Sequence, residues 1–116
     1  MDGSANAAMG VPLCSFAGVV VIDGVATEAL TLWFDTGRAW WASSGTPTGY
    51  RTSGRTTLDG AAVTMLRPKD NSMAAWLAVA ARAERVRVLS TTCLECALVA
   101  EGSVDAFIDP GSDTHR

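Results

Sequence analysis

Met1-Asp2-Gly3-Ser4 sets a carboxylate, a flexible backbone link and a hydroxyl side by side at one point of the chain. Residues of these types can ligate a hard cation through oxygen, bring main-chain N–H groups up to an oxyanion, and orient a water. Asp-Gly-Ser alone more often marks a turn, so its weight depends on its surroundings. Asn6 follows two residues on. After a short helix-capable run, Gly10-Val11-Pro12 leads into an apolar stretch.

Other residues with chemical potential read differently. Cys93-x-x-Cys96 has the spacing of a metal or redox pair, but a zinc site needs about four ligands, and Cys14 and His115 are poor company. Small apolar residues on a helix account for the pair as well. His115 has no Ser or Cys nucleophile elbow to serve. Trp33, Trp40, Trp41 and Trp76 could stack on a sugar, but tryptophans on strands and helices more often fill cores or interfaces.

Composition narrows the classes. The chain has 116 residues, 48% of them hydrophobic, which suits a single packed region and argues against disorder. Nine Lys and Arg against twelve Asp and Glu leave a net charge of −3, no basis for a nucleic-acid or acidic-membrane surface. Arg82, Arg85 and Arg87 are the one basic cluster and read as a solvated helix face leading into a strand. Val19-Val20-Val21-Ile22 is far short of the roughly 20 apolar residues of a membrane span. The start lacks a basic, then apolar, leader. Three cysteines suit a reducing compartment, so the expected location is cytoplasmic.

The elements that must position Asp2 follow from local pattern. Ser15 to Ile22 reads as a strand buried on both faces. Asp23-Gly24 makes a two-residue hairpin. Ala29 to Phe34 returns, Asp35 to Arg38 turns the chain, and Ala39 to Ala42 completes a meander. Ser43 to Gly60 is loop, with a short strand near Tyr50 to Thr52. Ala61 to Leu66 is a further strand. Asp70-Asn71-Ser72 starts a helix from Met73 to Arg85, with Met73, Trp76, Leu77 and Ala80 on its apolar face. Arg87 to Leu89 is a short strand. Thr92 and Glu95 have capping-box spacing for a helix ending at Gly102, and Val104 to Ile108 is the last strand. The fold class is therefore α+β or a layered α/β sandwich. Residues 1–116 form one region, with residues 1–66 and 67–116 as its two halves.

These blocks resemble the inositol monophosphatase family of magnesium-dependent sugar phosphatases. That family carries Asp-Pro-Ile/Leu-Asp-Gly-Thr/Ser, then Asn, then Gly-Ile/Phe-Pro before a strand. Asp2-Gly3-Ser4, Asn6 and Gly10-Val11-Pro12 match without a gap, with Met1 on the Ile/Leu position. The family's second block is Gly-Ser/Thr-Ala-Ala, then Val-Ala-x-Gly-x-x-Asp-Ala, then an acidic residue. Ser90-Thr91-Thr92-Cys93, Val99-Ala100-Glu101-Gly102-Ser103-Val104-Asp105-Ala106 and Asp109 correspond to it.

The resemblance implies a partial sugar-phosphatase fold and roles by position. Asp2 would ligate Mg²⁺ through its carboxylate and Met1 through its backbone carbonyl. Ser4 would orient the attacking water, and the N–H groups of Gly3 and Ser4 would hold the phosphate. Ser90, Thr91 and Thr92 would line the substrate pocket, and Asp109 would bind a substrate hydroxyl. The implied activity is hydrolysis of inositol monophosphate or a similar phosphorylated polyol, with a possible homodimer and no nucleic-acid or membrane partner. The family's earlier Glu, the first Asp of the motif and its late Asp motif have no counterpart; Asp113 lacks the small-residue helix that follows the latter. The expectation is thus a fragment short at both ends. The alternative is a non-catalytic structural or interaction piece.

Overall fold

The structure is a computed structural model and describes residues Met1–Gly111. The chain is mixed α/β with two three-stranded sheets. It divides into two compact units. One comprises Met1–Tyr50 with Ser90–Ala97, the other Arg51–Leu89 with the described residues from Leu98 on.

In the first unit, helix α1 (Ser4–Ala8) precedes the antiparallel meander β1 (Ser15–Ile22), β2 (Val25–Trp33) and β3 (Ala39–Ser43). The hairpin turn forms at Asp23-Gly24, both with positive φ, which pairs Ile22 with Val25. The returning strand begins at Val25 rather than Ala29, because a two-residue turn lets pairing start at once. A register shift at Val20/Val21 interrupts the ladder.

Burial on both faces of β1 is not what this chain provides. Val19, Val21 and Ile22 are 57–60% exposed. Their apolar run suits a covered strand, but among the described residues nothing covers them. Trp40 is buried, with the Arg38 guanidinium 4.9 Å from the centre of its ring.

In the second unit, β4 (Ala62–Met65) lies between β5 (Arg85–Arg87) and β6 (Ala106–Ile108), all parallel. Val63, Thr64 and Met65 are fully buried, as a central parallel strand requires. A 3-10 turn at Asp70–Ser72 leads into helix α2 (Met73–Arg82). The stripe of α2 that packs against Ala61, Val63 and Met65 contains Trp76 and Val79, with Ala83 just beyond the helix.

Met73 and Leu77, expected on that face, are exposed. The indole N–H of Trp76 donates to the Leu66 carbonyl at 2.8 Å, and the face turned to the core carries Trp76 and Val79. The helix stops at Arg82, so Arg85, expected at its end, opens strand β5 instead, while Arg87 lies on a strand as expected. No strand forms at residues 50–52.

Helix α3 (Thr92–Ala100) follows β5. It ends in a Schellman arrangement: Gly102 N–H bonds the Val99 carbonyl and Ser103 N–H the Leu98 carbonyl. No helix among the described residues is long and apolar enough to cross a membrane.

Candidate active site

Asp2 is held from two sides within the first unit. Its N–H donates to the Ser15 carbonyl at 2.7 Å, and Ser15 N–H donates back to the Asp2 carbonyl at 2.9 Å. Its side chain meets the start of α3. Thr91 Oγ1 donates to Asp2 Oδ2 at 2.8 Å, and the Cys93 N–H donates to the same oxygen at 2.9 Å. A helix start leaves its first N–H groups without intrahelical partners. Here a carboxylate from far away in sequence fills one of them and complements the positive end of the helix dipole.

Glu95 reaches back to Thr91, one residue further than the capping box expected with Thr92. Thr91, just before the helix, gives its N–H to Glu95 Oε1 at 3.2 Å. Its hydroxyl, which would ordinarily accept from the first turn, instead binds Asp2. The capping is therefore shared between the two segments.

Gly3 follows Asp2 at φ 83° and is buried. A Cβ at this position would lie 2.5 Å from the Leu13 carbonyl oxygen. Asn6 Nδ2 donates to that same carbonyl at 2.9 Å, which ties α1 to the chain entering β1. The motif's Gly and Asn thus meet at one oxygen. The first intrahelical bond of α1 runs from Ala7 N–H to the Gly3 carbonyl, so the N–H groups of Gly3 and Ser4 precede it. Ser4 is exposed, as is Met1.

The remaining site candidates separate. Ser90 and Thr92 are exposed. Ser90 has φ 60°, a left-handed conformation costing an L residue about 1–2 kcal/mol, and it stands where the resembling family carries Gly. Thr91, expected to line a substrate pocket, is fully buried with its hydroxyl on Asp2. Asp109 lies past β6, exposed, in the second unit. Asp113 and His115 lie outside the described residues.

Cys14, Cys93 and Cys96 are free thiols. Burial, then the charge of Asp2, raises the Cys93 thiol above its ordinary value, which makes it a weak nucleophile. Of the tryptophans, Trp33 donates its indole N–H to the Pro12 carbonyl, and Trp41, half exposed, donates to Glu28 Oε1.

Two residues with bonds to distant parts of the sequence escaped sequence reasoning, one at the site and one in the second unit. Ser15 is fully buried, and its hydroxyl lies 3.1 Å from that of Thr91; a lone Ser opening an apolar strand carries no signal of this. Asp105 belongs to the second block, and its role is visible only in the fold. Its Oδ2 accepts from the Ala62 N–H at 2.7 Å and from Arg55 Nε at 3.2 Å. Hydrogen bonds from Ser53 and Ala62, with the Arg55 charge, hold its carboxyl below the ordinary value of 3.8. The folded pKa is depressed, so its stabilisation is present above the unfolded pKa and is lost as pH falls through the folded value. The urea midpoint of the chain is expected to drop between about pH 5 and pH 3, and Asp105→Asn to remove part of that drop. An equal drop in the variant would place the titration elsewhere.

No family model matches the sequence, and no curated protein matches it. Solved structures do. The Thermotoga maritima IMPase superposes at a TM-score of 0.83 with 22% identity, covering 93% of this chain and 44% of its own. The chain has an inositol monophosphatase fold, in part. The extragenic suppressor protein SuhB of Bartonella henselae matches at 0.80 with 21% identity over 93% of this chain and 46% of its own. The inositol monophosphatase from Anabaena matches at 0.80 with 19% identity, over 93% and 49%. The chain thus spans about half the length of the inositol monophosphatase-fold structures it matches.

Proposed function

We propose that the chain is part of a magnesium-dependent phosphomonoesterase acting on inositol monophosphate or a similar small phosphorylated polyol or sugar. The observation that carries this is the pinned Asp2-Gly3-Ser4 turn within an inositol monophosphatase fold. Asp2 Oδ2 accepts hydrogen bonds from the Thr91 hydroxyl and the Cys93 N–H at the start of α3.

The donors fit magnesium in kind: a carboxylate oxygen and the Met1 carbonyl are hard ligands. In number they fall short, since no group of three or more His, Cys, Asp or Glu side chains stands together among the described residues. Asp2 and Met1 would hold one edge of the ion. Magnesium, when bound, acidifies a coordinated water and offsets charge on the phosphate. This chain's residues would do the rest. The N–H groups of Gly3 and Ser4 would receive phosphate oxygens, and the Ser4 hydroxyl would orient the attacking water. Ser90 and Thr92 are exposed and available to line the pocket.

The test is phosphate release from inositol 1-phosphate and fructose 1,6-bisphosphate, with and without magnesium, by the chain with its flanking segments restored. Asp2→Asn is expected to lower release on the order of 100-fold. Unchanged release in Asp2→Asn, or none from the extended parent, overturns the reading.

The exposed apolar residues of β1 favour a second reading, a non-catalytic interaction piece. In that case millimolar magnesium leaves the melting temperature unchanged, because only a ligand of the folded state raises it.

A further inference from the structure

We infer that Thr91 is a positioning residue for Asp2, and that Ser15 sets the direction of the hydrogen bond Thr91 makes. Thr91 and Ser15 are both fully buried, so neither side chain meets a solute. A carboxylate at neutral pH only accepts hydrogen bonds, and a threonine hydroxyl has one proton to give. The 2.8 Å contact from Thr91 Oγ1 to Asp2 Oδ2 takes that proton. The 3.1 Å contact between the two hydroxyls must then be donated by Ser15 and accepted by Thr91. The order along the network is fixed: Ser15 to Thr91 to Asp2, with the Cys93 N–H joining at the same carboxylate oxygen.

Ser15 also pairs with the Asp2 main chain in both directions. One buried residue therefore sets the backbone of Asp2 directly and its carboxylate through Thr91. With Oδ2 held by two donors, the carboxylate cannot rotate without breaking both. What Asp2 then does rests on the phosphatase reading; the positioning itself does not.

The experiment compares Thr91→Val, which keeps the shape and loses the hydroxyl, with Thr91→Ser, which keeps the hydroxyl, and with Ser15→Ala. Hydrogen exchange at the Cys93 amide is read by NMR on the chain alone. Thr91→Val is expected to accelerate it about tenfold or more, Thr91→Ser to leave it near the parent rate, and Ser15→Ala to fall between them. On the extended enzyme, the magnesium concentration for half-maximal phosphate release should rise about 10–100-fold in Thr91→Val, with substrate KM little changed and Thr91→Ser restoring it. Loss in Thr91→Ser equal to that in Thr91→Val would assign the effect to packing and overturn the inference. So would an unchanged Cys93 amide in Thr91→Val. Should Thr91→Val not fold, Ser15→Ala alone decides through the same amide. An enzyme inactive in every form would sink the phosphatase reading and leave the amide result to judge the positioning.

Discussion

Gly3→Ala is expected to destabilise the chain by roughly 2–5 kcal/mol, the sum of a left-handed backbone imposed on an L residue and a forced displacement in a packed region. The clash is with backbone. The new Cβ would lie 2.5 Å from the Leu13 carbonyl oxygen and 3.2 Å from Cys14 Cα. Neither can swing aside as a flexible side chain would, and the Leu13 carbonyl is also the acceptor for Asn6. Relief would require Asp2 to leave its pairing with Ser15, and the carboxylate would then leave α3. Urea unfolding measures the loss. Gly10→Ala is the control, because Gly10 has a similar φ of 76° with nothing within 4 Å of an added Cβ. It should cost only the conformational part, about 1–2 kcal/mol. Equal losses at the two positions would show that the close approach at Gly3 contributes nothing.

Gly102→Ala is expected to cost a similar roughly 2–5 kcal/mol for the same two reasons at the other end of the sequence pattern. Gly102 has φ 83° and closes α3 in the Schellman arrangement. Its added Cβ would lie 2.8 Å from the Arg51 carbonyl oxygen and 3.4 Å from the Ser53 nitrogen. Ser53 is also one of the groups that hold the Asp105 carboxyl low. Displacing residues 51–53 should therefore weaken that hold, and the acid-side loss of stability in Gly102→Ala should become shallower than in the parent. A variant with parental stability would mean that the loop moves freely and does not anchor the end of α3.

Each block of the family pattern thus contains one glycine whose side-chain position is already occupied by main chain. That gives a physical reason for a glycine in each block, separate from any contact with a substrate. Asp2 and Gly3 are neighbours, one turned toward α3 and the other pressed against Leu13.

The sequence by itself determined whatever depends on neighbours along the chain. The turn at Asp23-Gly24 needs two left-handed residues in a row, and few pairs supply them. The stop at Gly102 needs one, after an apolar helical run. The bounds of β1 followed from a nearly continuous apolar stretch, ending in Val19-Val20-Val21-Ile22, between Pro12 and that turn. The resemblance of the two blocks to the inositol monophosphatase family implied a partial fold of that kind, which superposition bears out. Only the tertiary structure decided what joins distant segments. No local pattern tells Thr91 to give its hydroxyl to a carboxylate 89 positions earlier, or places Ser15 behind it. Periodicity put Met73 and Leu77 on the buried face of α2, but tertiary packing turned Trp76 and Val79 to the core. Apolar composition predicted a covered β1, yet whether a strand is covered depends on the chain around it. Propensity acts over a few residues, whereas burial and hydrogen-bond satisfaction are settled by whichever groups the fold brings together.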